Sequence, residues 1–359
     1  MLKGIKKKKI FKMIGVILLI AIGFLVIQNE IEAKKRNHVL DDKILSAEDK
    51  KEIEEVKKIK KELGDELWPG FKDIEIPIML FNDKYEFLFA DKSPDSCWAK
   101  TRDDEYFIRT AAKSQAFGVK TGTVWAGSLG TLERMNKDYF SAIRSELPFI
   151  PAKLFPYQFA TFTKDMYPST VIHEMIHGFQ ASSNEEKFLK AEASHSALKS
   201  YPYDDDNYKR QWNEEGRILS RAFKAEDKNE TKELLKEFIK IRNERRAKAN
   251  LSSDAVEAEK KLEWLEGLAK YSEIKSYELV AEREGKGYNY SYKKGLPYWK
   301  GEFYKLKSSL GNLDGDNRFY YSGMAQARAL DKLGVQWKEK MMKDEVYLED
   351  AIKEFLLND

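Results

Sequence analysis

Cysteine is almost absent from this chain of 359 residues, which has only Cys97. A single cysteine excludes an internal disulfide, so the fold must be stabilised by its core, and the roughly 330 residues after the N-terminal apolar segment are enough for one. Cys97 lies in a polar stretch without an identifiable histidine partner, and we interpret it as incidental to function. No cysteine ends the apolar segment, which excludes lipoprotein anchoring.

A basic excess is absent from the body of the chain. The sequence has 63 Lys and Arg against 60 Asp and Glu, a net charge of +3, but six of the lysines lie in residues 1–12. Without those six the remainder carries a net charge of −3. The chain therefore lacks the clustered basic face of a nucleic-acid-binding protein. It also has no internal repeat, heptad pattern, Gly-rich phosphate loop or other nucleotide-binding motif.

The basic start is followed by an unbroken apolar run from Met13 to Ile27, extended backwards by Ile10 and Phe11. We predict a basic cytoplasmic tail at 1–9 and an uncleaved transmembrane signal-anchor at 10–28, with the N-terminus inside by the positive-inside rule. The bulk of the protein is then extracytoplasmic. A secretory signal has the same layout, so secretion after cleavage is the alternative.

Histidine is also scarce: the chain has four, at positions 38, 173, 177 and 195. Two of them form the pattern His173-Glu174-x-x-His177 within an apolar stretch. On a helix the two imidazoles lie on one face, about 6 Å apart along the axis, and can bind one metal ion. Glu174 can then take a proton from a water at the ion, and zinc-dependent hydrolysis is the usual meaning of this pattern. The alternative is a core helix whose histidines hydrogen-bond to backbone.

A zinc enzyme needs a third protein ligand, and residues 263–273 contain the best candidate, Glu266. The small residues Gly267 and Ala269 would let this helix approach the first helix closely. Glu273 lies two turns further on the same face and can orient a ligand. The alternative is a solvated helix with scattered charges.

These motifs resemble those of the zincin metallopeptidases. His173-Glu-Met-Ile-His177 together with the stretch from Trp264 to Tyr271 is similar to the gluzincin branch, whose third ligand is a Glu, and the stretches 67–71 and 321–326 suggest a poorly characterised bacterial group of such proteins. The resemblance implies that Zn²⁺ is bound by His173, His177 and Glu266, that Glu174 is the general base, and that the substrate is a peptide or protein.

The sequence departs from these families in two respects. His177 and Glu266 are 89 residues apart, more than in many gluzincins, and Ser196, at the common short spacing, cannot bind metal. The metzincin pattern also fails, because Gln180 and Ser183 stand where its Gly and third His belong.

Two other residues compete with Glu266 for the role of third ligand. Glu215, in a Glu-Glu-Gly stretch, either binds the metal or hydrogen-bonds to a ligand histidine. His195 is a further candidate, although a lone histidine in a polar run is more often simply exposed.

The pattern along the chain predicts an α+β, predominantly helical fold. We expect a charged helical linker at 29–66 and a zincin-like metallopeptidase domain at 67–359, with a small sheet in 67–168 and a helical part carrying the metal site in 169–359. The β-branched and aromatic runs predict strands at 74–81, 85–89, 106–108 and 121–125. We expect residues 120–128 either to form an edge strand that binds substrate by strand addition or to be an ordinary strand.

The helical part carries further candidate features. The basic run at 242–246 predicts a solvated face, or a contact with the acidic cluster at 204–206. The aromatic residues of 287–304 predict a packed layer or the wall of a substrate cleft. Tyr321 is our candidate for stabilising the oxyanion.

We therefore expect a membrane-anchored extracytoplasmic zinc metallopeptidase. One alternative is an inactive zincin-scaffold binding protein of the cell envelope, and another is zinc-dependent hydrolysis of a non-peptide amide.

Overall fold

A computed structural model describes residues 2–36, 38–103, 105–110, 115–146, 163–313 and 315–358. This part of the chain is predominantly helical, with one small mixed sheet formed by residues 78–130 and a long series of helices after it. The predicted class, α+β with the sheet near the front and helices behind it, is confirmed at this level.

The first helix, α1 (Leu2–Arg36), carries the N-terminal apolar run. Its segment Lys12–Lys35 has a mean hydropathy of 2.2 and is long and apolar enough to cross a membrane, although a signal sequence meets the same criteria. Only 6% of that segment is buried by the rest of the protein. Its end contacts α3 (Leu132–Glu146), where Glu30 pairs with Arg144 and Ala33 packs near Phe140.

The segment that we predicted as a linker contains α2 (Ala47–Leu67), which begins at the side-chain cap of Ser46. Its apolar residues recur at helical spacing, and Ile53, Val56, Ile59 and Leu63 are all buried in the main core. This helix therefore packs within the folded body, against the helices that carry the metal site.

The sheet has six strands, in the order β3-β4-β2-β1-β6-β5. The strands are β1 (Ile78–Phe81), β2 (Tyr85–Phe89), β3 (Ala99–Lys100), β4 (Phe107–Thr110), β5 (Phe117–Thr121) and β6 (Val124–Gly130). β1 and β6 are parallel, and every other neighbouring pair is antiparallel.

The predicted strand at 121–125 is wrong, because it spans the turn between β5 and β6. Gly122 has a φ of +58°, which favours glycine and reverses the chain there. Of the two strands joined by this turn, β5 lies at one edge of the sheet, whereas β6, which holds most of the predicted edge at 120–128, lies inside the sheet between β1 and β5.

The central helix is α4 (Tyr167–Ser183), which carries both motif histidines. It packs against β6 on one side and against α2 and α9 on others. At Gly127 of β6 an added Cβ would lie 2.6 Å from the backbone nitrogen of Met175, so the sheet approaches this helix at backbone distance.

The remaining helices follow α4 along the chain. They are α5 (Glu185–Ala193), a 3₁₀ turn (Ser194–Ser200), α6 (Asp206–Ala222), α7 (Lys228–Lys248), α8 (Ser253–Leu262), a π turn (Glu263–Gly267), α9 (Leu268–Glu282), α10 (Tyr292–Ser308), a 3₁₀ turn (Leu310–Asn312), α11 (Asn317–Leu333), α12 (Lys338–Lys343) and α13 (Leu348–Asn358). Among them, α5, α9 and α12 contact α4.

The basic run of α7 is buried, which contradicts the predicted solvated face. The side chains of Arg242 and Arg245 are fully buried, and Arg246 is nearly so. Their partners are four glutamates from four other elements, at positions 215, 259, 263 and 349. Charged groups taken out of water need partners of this kind, and sequence spacing alone does not show that the partners converge.

Candidate metal centre

The two motif histidines point into the protein from the middle of α4. His173 is 5% exposed and His177 is 1% exposed, while Glu174 between them is 7% exposed. The apolar neighbours of the motif bury this helix as the sequence predicts. Two imidazoles and a carboxyl group at this depth require partners.

The imidazole of His173 is oriented by Glu273 on α9. Its Nδ1 lies 3.1 Å from Oε2 of Glu273, and Lys270 lies 3.1 Å from the same carboxylate. With Nδ1 donating to a carboxylate, the lone pair of the ring is on Nε2. This contact agrees with our expectation that Glu273 orients a ligand histidine.

The imidazole of His177 is oriented by Gln180, three residues further along α4. Nδ1 of His177 lies 3.1 Å from Oε1 of Gln180. Both histidines therefore use Nδ1 for a fixed partner and leave Nε2 for a third group.

Glu266 is that third group, and it comes from the π turn between α8 and α9. Its Oε2 lies 3.6 Å from Nε2 of His173 and 3.4 Å from Nε2 of His177. This oxygen is buried and has no hydrogen-bond partner among the described residues. An acceptor that faces two ring nitrogens without a hydrogen bond is the arrangement expected around a cation.

Gly267, the last residue of the π turn, allows a close backbone contact. An added Cβ there would lie 2.5 Å from the Cα of Gly323 on α11, so the two backbones touch. We expected Gly267 to permit a close approach to α4, and the structure shows that its close partner is α11. The small size of Gly267 therefore indicated a close approach, but the sequence did not identify the partner.

These donors fit a divalent transition metal. Zinc binds imidazole nitrogen and carboxylate oxygen at about 2.0–2.2 Å, which places two tetrahedral ligands about 3.3–3.5 Å apart. The two distances from Glu266 Oε2 to the imidazoles, 3.4 and 3.6 Å, agree with that separation. His173, His177 and Glu266 form a group whose potential ligand atoms all lie within 4.8 Å of one another.

The electrostatics of the metal-free cluster favour a cation. Burial opposes the charged form of His173, but the nearby carboxylates of Glu266 and Glu273 raise its pKa to about 10. Burial raises the pKa of Glu174 to about 7. Burial also opposes ionisation of Glu266, yet the charges of His177 and His173 close to its carboxylate hold its pKa well below the usual value. The cluster attracts positive charge, which either protons or a metal ion can supply.

A tyrosine lies against the cluster, but it is Tyr320 and not the predicted Tyr321. The ring of Tyr320 stacks on that of His173, with 5.6 Å between centroids and 15° between planes. Burial and the neighbouring charge of Glu266 hold the pKa of its hydroxyl well above the usual value. The Tyr321 hydroxyl instead donates to Glu302 at 2.6 Å. Tyr320 and Tyr321 are adjacent on α11 and point in different directions. The rotation of α11 about its axis therefore determines which of the two rings faces the cluster.

The two rival ligand candidates occupy different positions. Glu215 is buried in the arginine network, where its Oε2 lies 3.0 Å from Nε of Arg242. His195 is half-buried in the 3₁₀ turn, and its Nε2 lies 3.2 Å from Oδ2 of Asp316. His195, Asp316 and Glu266 form a second group of potential ligand atoms within 4.8 Å. His195 therefore lies beside the cluster, although it is outside the group of Glu266 and the two motif histidines.

Three residues beside the cluster were given no functional role from the sequence: Asp316, Gln180 and Tyr320. For Gln180 a signal existed, because it stands three residues after His177 and hence on the same face of α4. Asp316 and Tyr320 lie near the cluster because of the way α11 packs, which the sequence does not show.

The edge strand β5 passes directly over His177. An added Cβ at Gly118 would lie 2.8 Å from the Cβ of His177, and the ring of Phe117 lies 4.5 Å from the imidazole. The outer side of β5 has no partner among the described strands. A strand edge that is unpaired within the described sheet and lies beside the cluster is suited to pairing with an extended peptide.

Comparison with known proteins adds no relative. No family model matches this chain, and no curated protein and no solved structure matches it. The function of this protein is therefore inferred from the residues of the site.

Proposed function

We propose that this protein is a zinc-dependent metallopeptidase. The single observation that carries the proposal is the buried Oε2 of Glu266, which faces the Nε2 atoms of His173 and His177 without a hydrogen bond. Two imidazoles and one carboxylate are a known ligand set of catalytic zinc, which leaves a further position for water or substrate.

Each side chain then has a definite role. His173, His177 and Glu266 would hold the ion, which when bound supplies a lowered pKa for water and polarises a carbonyl. Glu174 follows His173 on α4 and interacts electrostatically with both motif histidines and Glu266, so its carboxylate would take a proton from the attacking water and return it to the leaving amine. The raised pKa keeps Tyr320 protonated, so its hydroxyl can donate to the developing oxyanion.

The substrate that these features favour is a peptide in extended conformation. The edge of β5 offers backbone donors and acceptors beside His177. The apolar helix α1 would hold the enzyme at the membrane as a signal-anchor, with the basic residues 1–9 inside and the metal centre extracytoplasmic.

The test uses the full-length chain purified in detergent, with zinc content measured by mass spectrometry and cleavage followed on a peptide library. We expect one zinc per chain and peptide cleavage for the natural sequence. Glu174→Gln should keep the zinc and lose at least about 100-fold in cleavage rate, because the general base is removed. Glu266→Gln should lose most of the zinc, whereas Glu282→Gln, an exposed site at the end of α9, should keep both properties.

The other outcomes contradict the proposal in distinguishable ways. A natural chain with neither zinc nor cleavage would indicate a binding protein on this scaffold. Bound zinc without peptide cleavage would favour a non-peptide amide as substrate. Full cleavage by zinc-loaded Glu174→Gln would overturn the role of Glu174.

A further inference from the structure

We propose that Gln180 is a positioning residue of the metal centre, whose single amide group fixes both the tautomer of His177 and the π turn that presents Glu266. This inference depends on the metal site of the proposed function. Gln180 is completely buried, and the proposed chemistry does not use it directly.

The orientation of the Gln180 amide follows from its neighbours. Its Nε2 lies 2.8 Å from the carbonyl oxygen of Trp264 and 3.2 Å from that of Leu265. Carbonyl oxygens only accept, so they require the NH₂ end of the amide. The oxygen end must then face His177, whose Nδ1 lies 3.1 Å from Oε1. That oxygen can only accept, so Nδ1 carries the proton and Nε2 keeps its lone pair.

The same amide also holds the peptide segment that carries the third ligand. The two carbonyls it binds belong to the π turn Glu263–Gly267 and immediately precede Glu266. A π turn widens the backbone hydrogen bonding of a helix from i+4 to i+5, and it often marks a functional site. Gln180 supplies a donor to this turn, so the position of Glu266 is tied to the ring of His177.

Among side chains of this shape, glutamine is suited to the position because it is both donor and acceptor. A glutamate would accept from His177 but would set a carboxylate against the carbonyls of Trp264 and Leu265. A methionine would fill the space and make neither contact. Groups that orient ligands in this way typically change metal affinity by 10–100-fold when they are removed.

The experiment compares Gln180→Met with Gln326→Met in the full-length chain. Gln326 is a matched control, because it is equally buried, on α11, and the substitution also replaces a buried amide by a thioether. Zinc affinity is measured by competition with a chromophoric chelator, and ligand geometry is monitored by the visible absorption of the Co²⁺-loaded protein. We expect Gln180→Met to bind zinc at least about 10-fold more weakly and to shift the Co²⁺ bands, while Gln326→Met changes neither.

Circular dichroism establishes that each variant is folded. If Gln180→Met does not fold, Gln180→Leu is measured in the same way, with the same expected loss of zinc affinity. Zinc affinity and Co²⁺ bands that match the natural chain in a folded Gln180 variant would overturn this inference, as would an equal loss in Gln326→Met. A natural chain that binds no zinc would instead overturn the proposed function.

Discussion

Oε2 of Glu273 lies 3.1 Å from Nδ1 of His173, although the two residues are 100 positions apart in the chain. The contact joins α9 to α4 and fixes which nitrogen of the imidazole carries the proton. Burial opposes ionisation of Glu273, but the charges of Lys270 and His173 and hydrogen bonds from both lower its pKa, so the group stays a carboxylate. An ionised acceptor makes the bound imidazole a stronger donor to a metal.

Replacing Glu273 by Gln should weaken zinc binding by about 10-fold, because a neutral amide keeps the shape but polarises the imidazole less. Chelator competition on the full-length chain measures this change. Glu282→Gln, an exposed substitution on the same helix, is the control and should leave the affinity unaltered. An unchanged zinc affinity in Glu273→Gln would show that this contact does not tune the site.

Local spacing predicted much of the site. The i and i+4 positions of His173 and His177 and the apolar stretch around them fixed a buried helix with both imidazoles on one face, and the structure agrees. The seven-residue interval likewise predicted that Glu266 and Glu273 face the same way, and both lie near His173, although Glu266 is in the π turn before α9. Periodicity within one helix is a local property, so sequence alone is sufficient for it.

What escaped prediction depends on contacts between distant elements. Tyr320 rather than Tyr321 faces the cluster because of the phase at which α11 meets α4. Arg242 is buried because three helical elements bring the glutamates Glu215, Glu263 and Glu349 to it. The turn at Gly122 is a local feature that the sequence does contain, and the β-branched residues on both sides of Gly122 concealed the break.

We expect Tyr320→Phe to lower the rate of peptide hydrolysis by roughly 100-fold while zinc remains bound, because the hydroxyl that donates to the oxyanion is lost. Tyr321→Phe is the matched control on the same helix, since its hydroxyl donates to Glu302 instead. Steady-state kinetics on a cleaved peptide, with zinc content measured in parallel, decide the matter. A larger rate loss in Tyr321→Phe would restore the prediction made from sequence.

Arg242→Met should destabilise the protein by about 3–5 kcal/mol, because removing one member of a buried ionic network leaves the other charges without compensation. Its side chain contacts Glu215, Glu263 and Glu349. Urea denaturation measures the free energy of unfolding. The control is Arg217→Met, which removes a half-exposed pair with Glu214 and should cost less than about 1 kcal/mol. Similar losses in the two variants would contradict a stabilising role for the network.

Glu52 on α2 should make the protein less stable as the pH rises. The residue is fully buried, accepts a hydrogen bond from the hydroxyl of Tyr290, and its Oε2 has no partner among the described residues. Burial raises its pKa, the bond from Tyr290 lowers it and the charges of Glu48 and Glu55 raise it further, and the result is a pKa of about 8.

A folded-state pKa above the unfolded value means that the native protein holds more protons between about pH 4.5 and 8. The stability that protonated Glu52 contributes is therefore present below that window and is lost as the pH rises through 8. Glu52→Gln removes the titration, so its free energy of unfolding should fall less between pH 6 and pH 9 than that of the natural chain, by at least about 1 kcal/mol. Urea denaturation at both pH values measures the difference. Glu54→Gln, an exposed site on the same helix, should behave like the natural chain, and a Glu52→Gln variant that loses as much stability as Glu54→Gln would contradict the assignment.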